Sequence, residues 1–411
     1  MRKSAEKNNW EKVKLSDIGE INMGQSPPSS SYNYNKEGLP FYQGVKDFGY
    51  KYPVPNVLCN APKKIAQAGD ILLSVRAPIG AVNVARDRCC IGRGLAALRH
   101  KEGNSKFLFY LMKYVQKRWS AFDSQGTVFG CISKEHISNF SVIVSKDSKY
   151  QQKIASILSA YDDLIELNER RIKVLEEIAR LIYKEWFVKF KFPGYKKVKM
   201  VKSELGMIPE GWEVKSILDI GGVNLVKARV KKYDGVKEYF ATANIDGIAI
   251  IKNGELVNYY ERPSRAQMQP EENTIWFARM RETFKVLCFT SANKEIAEKS
   301  ILSTGFAGLK VNKNILGFIY FTVNSKEFHE QKDQFCTGAT QMSLTNDGSA
   351  MIKIVYSGEY LVRKYSELVS NTIDQIIILQ RQNSTLRQTR DMLLPKLISG
   401  KIDVSNLDIR V

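Results

Sequence analysis

The stretch from Tyr161 to Phe187, YDDLIELNERRIKVLEEIARLIYKEWF, sets apolar residues at helical spacing in a highly charged background. Just upstream, Ser148 and Gln151 in SKYQ have capping-box spacing, so the helix is expected to start there. It is expected to run to about Val188, before Phe192-Pro193-Gly194 stops it. Ile154, Leu158, Tyr161, Ile165, Asn168, Ile172, Leu175, Ala179, Ile182 and Trp186 alternate steps of four and three, which is a heptad seam.

A second helical stretch near the end of the chain, IDQIIILQRQNSTLRQTRDMLLP, carries a matching seam. It comprises Tyr365, Val369, Thr372, Ile376, Leu379, Asn383, Leu386, Arg390 and Leu393, and is expected to end near Pro395. Laid antiparallel, the two seams sort into pairs: Leu158 with Leu393, Ile165 with Leu386, Ile172 with Leu379, Leu175 with Ile376, Ile182 with Val369, and Trp186 with Tyr365. Asn168 then meets Asn383. An amide lacking a partner in a seam is costly, whereas an amide pair can hydrogen-bond and specify register. Such a pair would form a rod about 50 Å long at about 1.5 Å per residue. The alternative is two amphipathic helices, each packed on its own domain.

The match between the helices belongs to a longer repetition. NWEKVKLSDIGE recurs as GWEVKSILDIGG, pairing Trp10 with Trp212, Asp17 with Asp219 and Ile18 with Ile220. PFYQGVKDFG resembles EYFATANIDG, with Phe41 against Phe240 and Asp47 against Asp246, and GTVFGCIS resembles GATQMSLT, with Gly126 against Gly338 and Ile132 against Leu344. Matches in one order at a nearly constant separation of about 200–210 residues indicate duplication. Each half therefore reads as a globular domain followed by a long helix. GDILLSV, GAVNVA and FSVIVS are strand candidates in the first half, with an amphipathic helix in NSKFLFYLMKYVQKRW. NTIWFARM, FKVLCFTS and GFIYFTV take the strand role in the second. Between the halves lies a lysine-rich segment punctuated by Pro193, Gly194, Pro209 and Gly211, expected to be a hinge.

Lys and Arg number 62 against 43 Asp and Glu, a formal charge of +19 that favours a polyanionic partner such as nucleic acid. Six cysteines without CxxC spacing and three scattered histidines argue against a zinc module or disulfide framework. No apolar run approaches the roughly 20 residues of a membrane span, so a cytoplasmic protein with no membrane association is expected.

The duplicated plan, ELGMIPEGWEV opening the second half, GDILLSVRAPIG, ISKEHISNFSVIV with YQQKIASILSAYDDLI, and LLPKLISGKI closing the chain resemble the specificity subunit of type I restriction-modification systems. The resemblance covers nearly the whole chain. It implies an α/β (α+β) fold: two DNA target recognition domains in tandem repeat, separated by two long antiparallel coiled-coil helices. The expected boundaries are 1–147 and 212–356 for the domains, 148–190 for the first helix, 191–211 for the linker, and 357–411 for the second helix and tail. The resemblance further implies that each domain reads half of a bipartite site on double-stranded DNA. The helices set the spacing and dock two methyltransferase subunits, and a restriction subunit that uses ATP completes the complex. The chain itself is then non-catalytic and needs no cofactor or metal.

The residues carry little competing chemistry. Ser26-Pro27-Pro28-Ser29 lacks the aromatic residue that a base-flipping methyltransferase loop needs, and is expected to be a turn. Gly92–Ala97, GRGLAA, has a nucleotide-loop spacing without a clear βαβ context, so a strand bend is the better reading. Glu213 and Lys215 have nuclease-like spacing but lie in the repeat opening. What remains is binding. Arg76, Arg86, Arg88 and Arg93 in the first half and Arg279, Arg281 and Lys285 in the second fall at strand ends and loops, where Arg can bridge guanine O6 and N7 or clamp a phosphate. For each one alone, a solvated surface charge is the competing reading. Three functions stay open at this level: a DNA-recognition subunit, a methyltransferase or nuclease with unorthodox motifs, and a DNA-independent coiled-coil scaffold.

Overall fold

The computed structural model describes residues 10–35, 37–122, 130–227, 229–339 and 342–409; Gly126, one partner in the third repeat match, lies outside them. The chain forms two compact units, Met1–Ile165 with Thr385–Val411, and Glu166–Ser384.

In the first unit β1 (Trp10–Lys14) is followed by β2 (Gly19–Met23), β3 (Leu39–Tyr42), β4 (Ile71–Ser74), β5 (Val82–Val84), β6 (Cys89–Ile91) and β7 (Leu95–His100). Helix α1 (Ser105–Val115), β8 (Ser141–Ser145) and the long helix α2 (Ser148–Tyr183), which is in this unit as far as Ile165, follow. An antiparallel sheet in the order β2-β7-β4-β5 is its centre. Both faces are covered. Ile71, Leu73 and Leu98 pack on α1 and on the first turns of α2 with Leu397 and Ile398. Leu72, Leu95 and Ala97 face the second sheet, in which β3 runs parallel to β6.

The second unit repeats this plan with β9 (Glu213–Ser216), β10 (Val223–Leu225), β11 (Lys237–Phe240), β12 (Thr274–Ala278), β13 (Val286–Phe289), β14 (Ser300–Ser303) and β15 (Phe306–Val311). Helices α3 (Leu316–Val323) and α4 (Lys326–Gln334), β16 (Lys353–Tyr356) and the long helix α5 (Glu359–Ile398), which is in this unit as far as Ser384, follow. The central order is β10-β15-β12-β13, and β11 runs parallel to β14. The register equates the units residue by residue. Lys14 faces Ser141 as Ser216 faces Lys353, and Ser74 faces Leu95 as Ala278 faces Phe306.

This register corrects several sequence readings. Phe41 does not match Phe240. Tyr42 does, since each lies beside the corresponding strand residue, Ile91 or Leu302. Asp47 corresponds to Asn244, whose side chain likewise accepts a backbone N–H three residues upstream. GFIYFTV is helix α3 and not a strand: all its residues are buried, and a uniformly apolar run carries no period that separates strand from helix. The cap of α2 is Asp147, whose Oδ1 accepts the N–H of Lys149 at 2.9 Å, while Gln151 Nε2 reaches back to the carbonyl of Ser145. Helix α5 continues through Pro395 to Ile398; proline lacks the N–H, but its carbonyl still accepts from Ser399. The lysine-rich segment between the halves forms a hairpin, Met200–Ser203 with Gly206–Pro209, rather than an open hinge. Phe192, Ile208 and Trp212 anchor that region in the core of the second unit.

Every seam position of both long helices is buried or half-buried. In the first unit Leu158 and Leu393 join one core, and the guanidinium of Arg390 pairs with the buried carboxylate of Asp162, which also accepts the hydroxyl of Tyr110 at 2.5 Å. In the second unit Trp186 and Tyr365 have ring centroids 6.1 Å apart, and Tyr365 donates its hydroxyl to the carbonyl of Ala179 at 2.9 Å. Asn168 Nδ2 donates to Asn383 Oδ1 at 2.9 Å, with both residues 2% exposed. Replacing Asn168 alone by Leu removes that donor from Asn383 and is expected to lower stability by about 1–3 kcal/mol. Asn168→Leu with Asn383→Leu is expected to recover the loss. Denaturant unfolding across the double-mutant cycle measures the coupling, and a value of zero would show that the two amides act independently.

Candidate nucleic-acid interface

The same strand end carries a turn in both units. In the first, Val75 leaves β4 with its N–H on the carbonyl of Gly94, while its own carbonyl accepts from Ile132. In the second, Arg279 N–H donates to Gly305 and its carbonyl accepts from Leu344. The turns Val75–Ala81 and Arg279–Lys285 are therefore equivalent, and Arg76 takes the place that Met280 holds in the second unit.

Around the first turn is a cleft of about 510 Å³ whose polar lining is Gln43, Lys46, Ser74, Arg76 and Arg93. Two local features open it. Ser74 Oγ lies 2.7 Å from the carbonyls of both Arg76 and Pro78 and ties the turn back to β4. Gly92–Gly94 makes a tight turn between β6 and β7, and a Cβ on Gly94 would stand 2.2 Å from the carbonyl oxygen of Gln43. Only glycine allows that approach, which leaves Arg93 exposed at the tip. GRGLAA is thus a bend at Gly92–Gly94 that runs into β7 at Leu95.

The proposed arginines do not all gather there. Arg86 and Arg88 are exposed between β5 and β6 and do not line the cleft; Arg86 lies over the ring of Tyr52 at 5.1 Å. Arg279 is engaged inside its own unit. Its Nε donates to the carbonyl of Phe306 at 3.1 Å, Nη1 to that of Leu344 at 2.9 Å, and Nη2 to Asn346 Oδ1 at 2.7 Å. Burial lowers its pKa. It braces the turn from beneath. Lys285 Nζ donates to the carbonyl of Thr242 at 2.8 Å, holding the neighbouring loop. Arg281 is exposed on the turn, with Nη1 at 3.2 Å from Met342 Sδ.

Sequence reasoning passed over Gln43 and Lys46, which share the first cleft, Phe284, which lies on the second turn, and Lys332 and His329, which pack against that turn. A lone Gln or Lys in a polar loop carries no spacing signal, and Lys332 lies on a charged helix that reads as solvated. The other chemical candidates are structural. Ser26–Ser29 leads into a 3₁₀ turn at Ser29–Ser31. Glu213 and Lys215 pair with each other at 2.7 Å on β9. Among the described residues no group of His, Cys, Asp and Glu is arranged to hold a metal, and no helix is long and apolar enough to cross a membrane.

A family model described as the type I restriction modification DNA specificity domain matches residues 7–177. A protein named as the type I restriction enzyme MjaX specificity subunit of Methanocaldococcus jannaschii is 41% identical over 177 residues, which cover 42% of this chain and 41% of that one. The type I restriction enzyme MjaIX specificity subunit of the same organism is 26% identical over 97% of this chain and 94% of its own length. The crystal structure of the type I restriction-modification system S subunit from M. genitalium shares the fold, with a TM-score of 0.60 over 97% of this chain and 98% of that one at 17% identity.

Beside the second turn, burial and the ammonium of Lys332 push the pKa of His329 down to about 4, from an ordinary 6.5. The unfolded chain then binds the proton more readily than the folded one, so stability falls as pH drops from about 6.5 toward 4. Thermal unfolding midpoints are expected to decline over that window more steeply for the natural chain than for His329→Phe, and parallel declines would refute the assignment.

Proposed function

The chain belongs to the family of type I restriction-modification DNA specificity subunits, and from that premise we propose that it is the non-catalytic DNA-recognition subunit of such a complex, each unit reading one half of a bipartite duplex site. The observation that carries this reading is the cleft of the first unit, where Arg76, Arg93 and Lys46 converge on a turn whose equivalent in the second unit exposes Arg281. Arginine at such a turn has the donor geometry for a guanine edge or a phosphate. A net charge of +19 supplies the sequence-independent attraction to the duplex.

Two methyltransferase subunits and a restriction subunit are the proposed protein partners, in the cytoplasm, with the chemistry residing in those subunits. Leu167, Val174, Ile178 and Leu181 are exposed at helical spacing on α2, which supports helix packing against a methyltransferase subunit. The two long helices are proposed to set the gap between half-sites, with Asn168 and Asn383 specifying their register.

Methylome sequencing of cells carrying this chain with its methyltransferase subunits tests the reading. A bipartite motif is expected, and Arg76→Met with Arg93→Ser is expected to relax one half by about five- to a hundredfold for each guanine no longer bridged, leaving the other half intact. Equal degradation of both halves would refute independent readers. Spacing is tested separately by inserting four helix-forming residues between Ile172 and Lys173 and four between Ile378 and Leu379. The added length is about 6 Å, so the preferred gap is expected to grow by about one or two base pairs. An unchanged or shortened gap in the same sequencing would refute the helices as the spacer.

A further inference from the structure

The turn Arg279–Lys285 is held from beneath by a buried lysine in an ion pair. Beneath it, Lys332 on α4 is fully buried. Its ammonium donates to the carbonyls of Met280 at 2.7 Å and Thr283 at 3.2 Å, and it pairs with Asp333 at 2.8 Å. Asp333 Oδ1 in turn accepts the N–H of Glu282 at 3.1 Å. Burying an ammonium is expensive unless it is paired and hydrogen-bonded, and here its bonds go to the turn. Glu282 is held at a φ of 56°, a conformation that residues other than glycine seldom adopt and that clusters at binding sites.

This scaffold exposes Arg281, Glu282 and Phe284, with Arg281 Nε 3.8 Å from Glu282 Oε1. Arg281 is exposed, and Phe284 is 47% exposed, its ring lying 4.3 Å from that of His329. A single exposed Phe is ordinary on a protein surface. One fixed on a strained turn beside an arginine and braced by a buried lysine is not. Glu282 between them is exposed as well, and a carboxylate at the tip disfavours a phosphate contact while fitting a groove floor, where cytosine N4 is a donor.

We propose that Arg281 and Phe284 are the base-reading pair of the second unit. Arg281 takes guanine O6 and N7, Phe284 packs on the 5-methyl group of a neighbouring thymine, and Lys332 is the positioning residue that holds both. The inference rests on the DNA-recognition reading above and adds the chemistry of one half-site. Among the described residues the first unit lacks this device. Gly80 stands where Phe284 does, and a Cβ there would already meet Trp119 at 2.6 Å.

The full chain, assembled with its methyltransferase subunits, is challenged with a randomised duplex library, and methylated sequences are read out. Phe284→Ala is expected to reduce preference for thymine at one position of one half-site by about fourfold, whereas Phe284→Leu keeps most of it. Uracil in place of that thymine removes only the methyl group, and is expected to weaken the natural complex by a similar factor while leaving Phe284→Ala unaffected. Arg281→Met relaxes an adjacent guanine. Lys332→Met blurs both positions, with the other half-site as the internal control for an intact complex. Absence of any bipartite motif for the natural chain would overturn the recognition reading. A clear motif left unchanged by Phe284→Ala and Arg281→Met would overturn this proposal alone.

Discussion

The backbone hydrogen bonds that clasp Val75 and Arg279 between neighbouring turns are the constraint on which both candidate sites depend. Each residue donates to one turn, through Gly94 or Gly305, and accepts from a distant segment, through Ile132 or Leu344. A strand end tied on both sides has little freedom. Whatever follows it in sequence must emerge in one direction, and the following turn becomes a platform whose side chains can change without moving the backbone. A position clasped in this way tolerates duplication, because the bonds ask nothing of the side chain.

The two units use that tolerance in opposite ways. Val75 fills its place with an apolar side chain, and the polar groups of its turn, Arg76 and Ser74, face a cleft or the turn itself. Arg279 fills the equivalent place with a guanidinium that is taken up by two carbonyls and an amide. The second turn then gains a further support, the ammonium of Lys332, which has no counterpart among the described residues of the first. Buried charged groups of this kind do not add stability cheaply. Their effect is to narrow the set of shapes available to the turn.

The long helices show the same division between a generic and a specific interaction. Leucine and isoleucine along a seam drive association but accept several registers, since one heptad resembles the next. The polar interruptions discriminate. The Asn168–Asn383 amide bond in the second unit and the Arg390–Asp162 pair in the first each satisfy a buried group only at one alignment of their own helix segments. Around Tyr365 the aromatic rings of Tyr183, Trp186 and Phe187 add a contact of shape rather than charge.

The amino-acid order alone determined the duplication, the two long helices and their seams, because these rest on periodicity and repetition that extend over many residues. It also determined that GRGLAA is a strand bend and Ser26–Ser29 a turn. It did not determine that GFIYFTV is a helix, for a fully buried segment shows no polar face to set its period. Nor did it separate the arginines. Arg76 and Arg93 line a cleft, Arg86 lies on Tyr52, and Arg279 is a brace. A cation's role is set by the carbonyls, rings and carboxylates that distant segments bring within about 3–6 Å of it. Lys332 is the extreme case: in sequence it is one charge on a charged helix, and only the tertiary structure places it, fully buried, beneath a turn some fifty residues upstream.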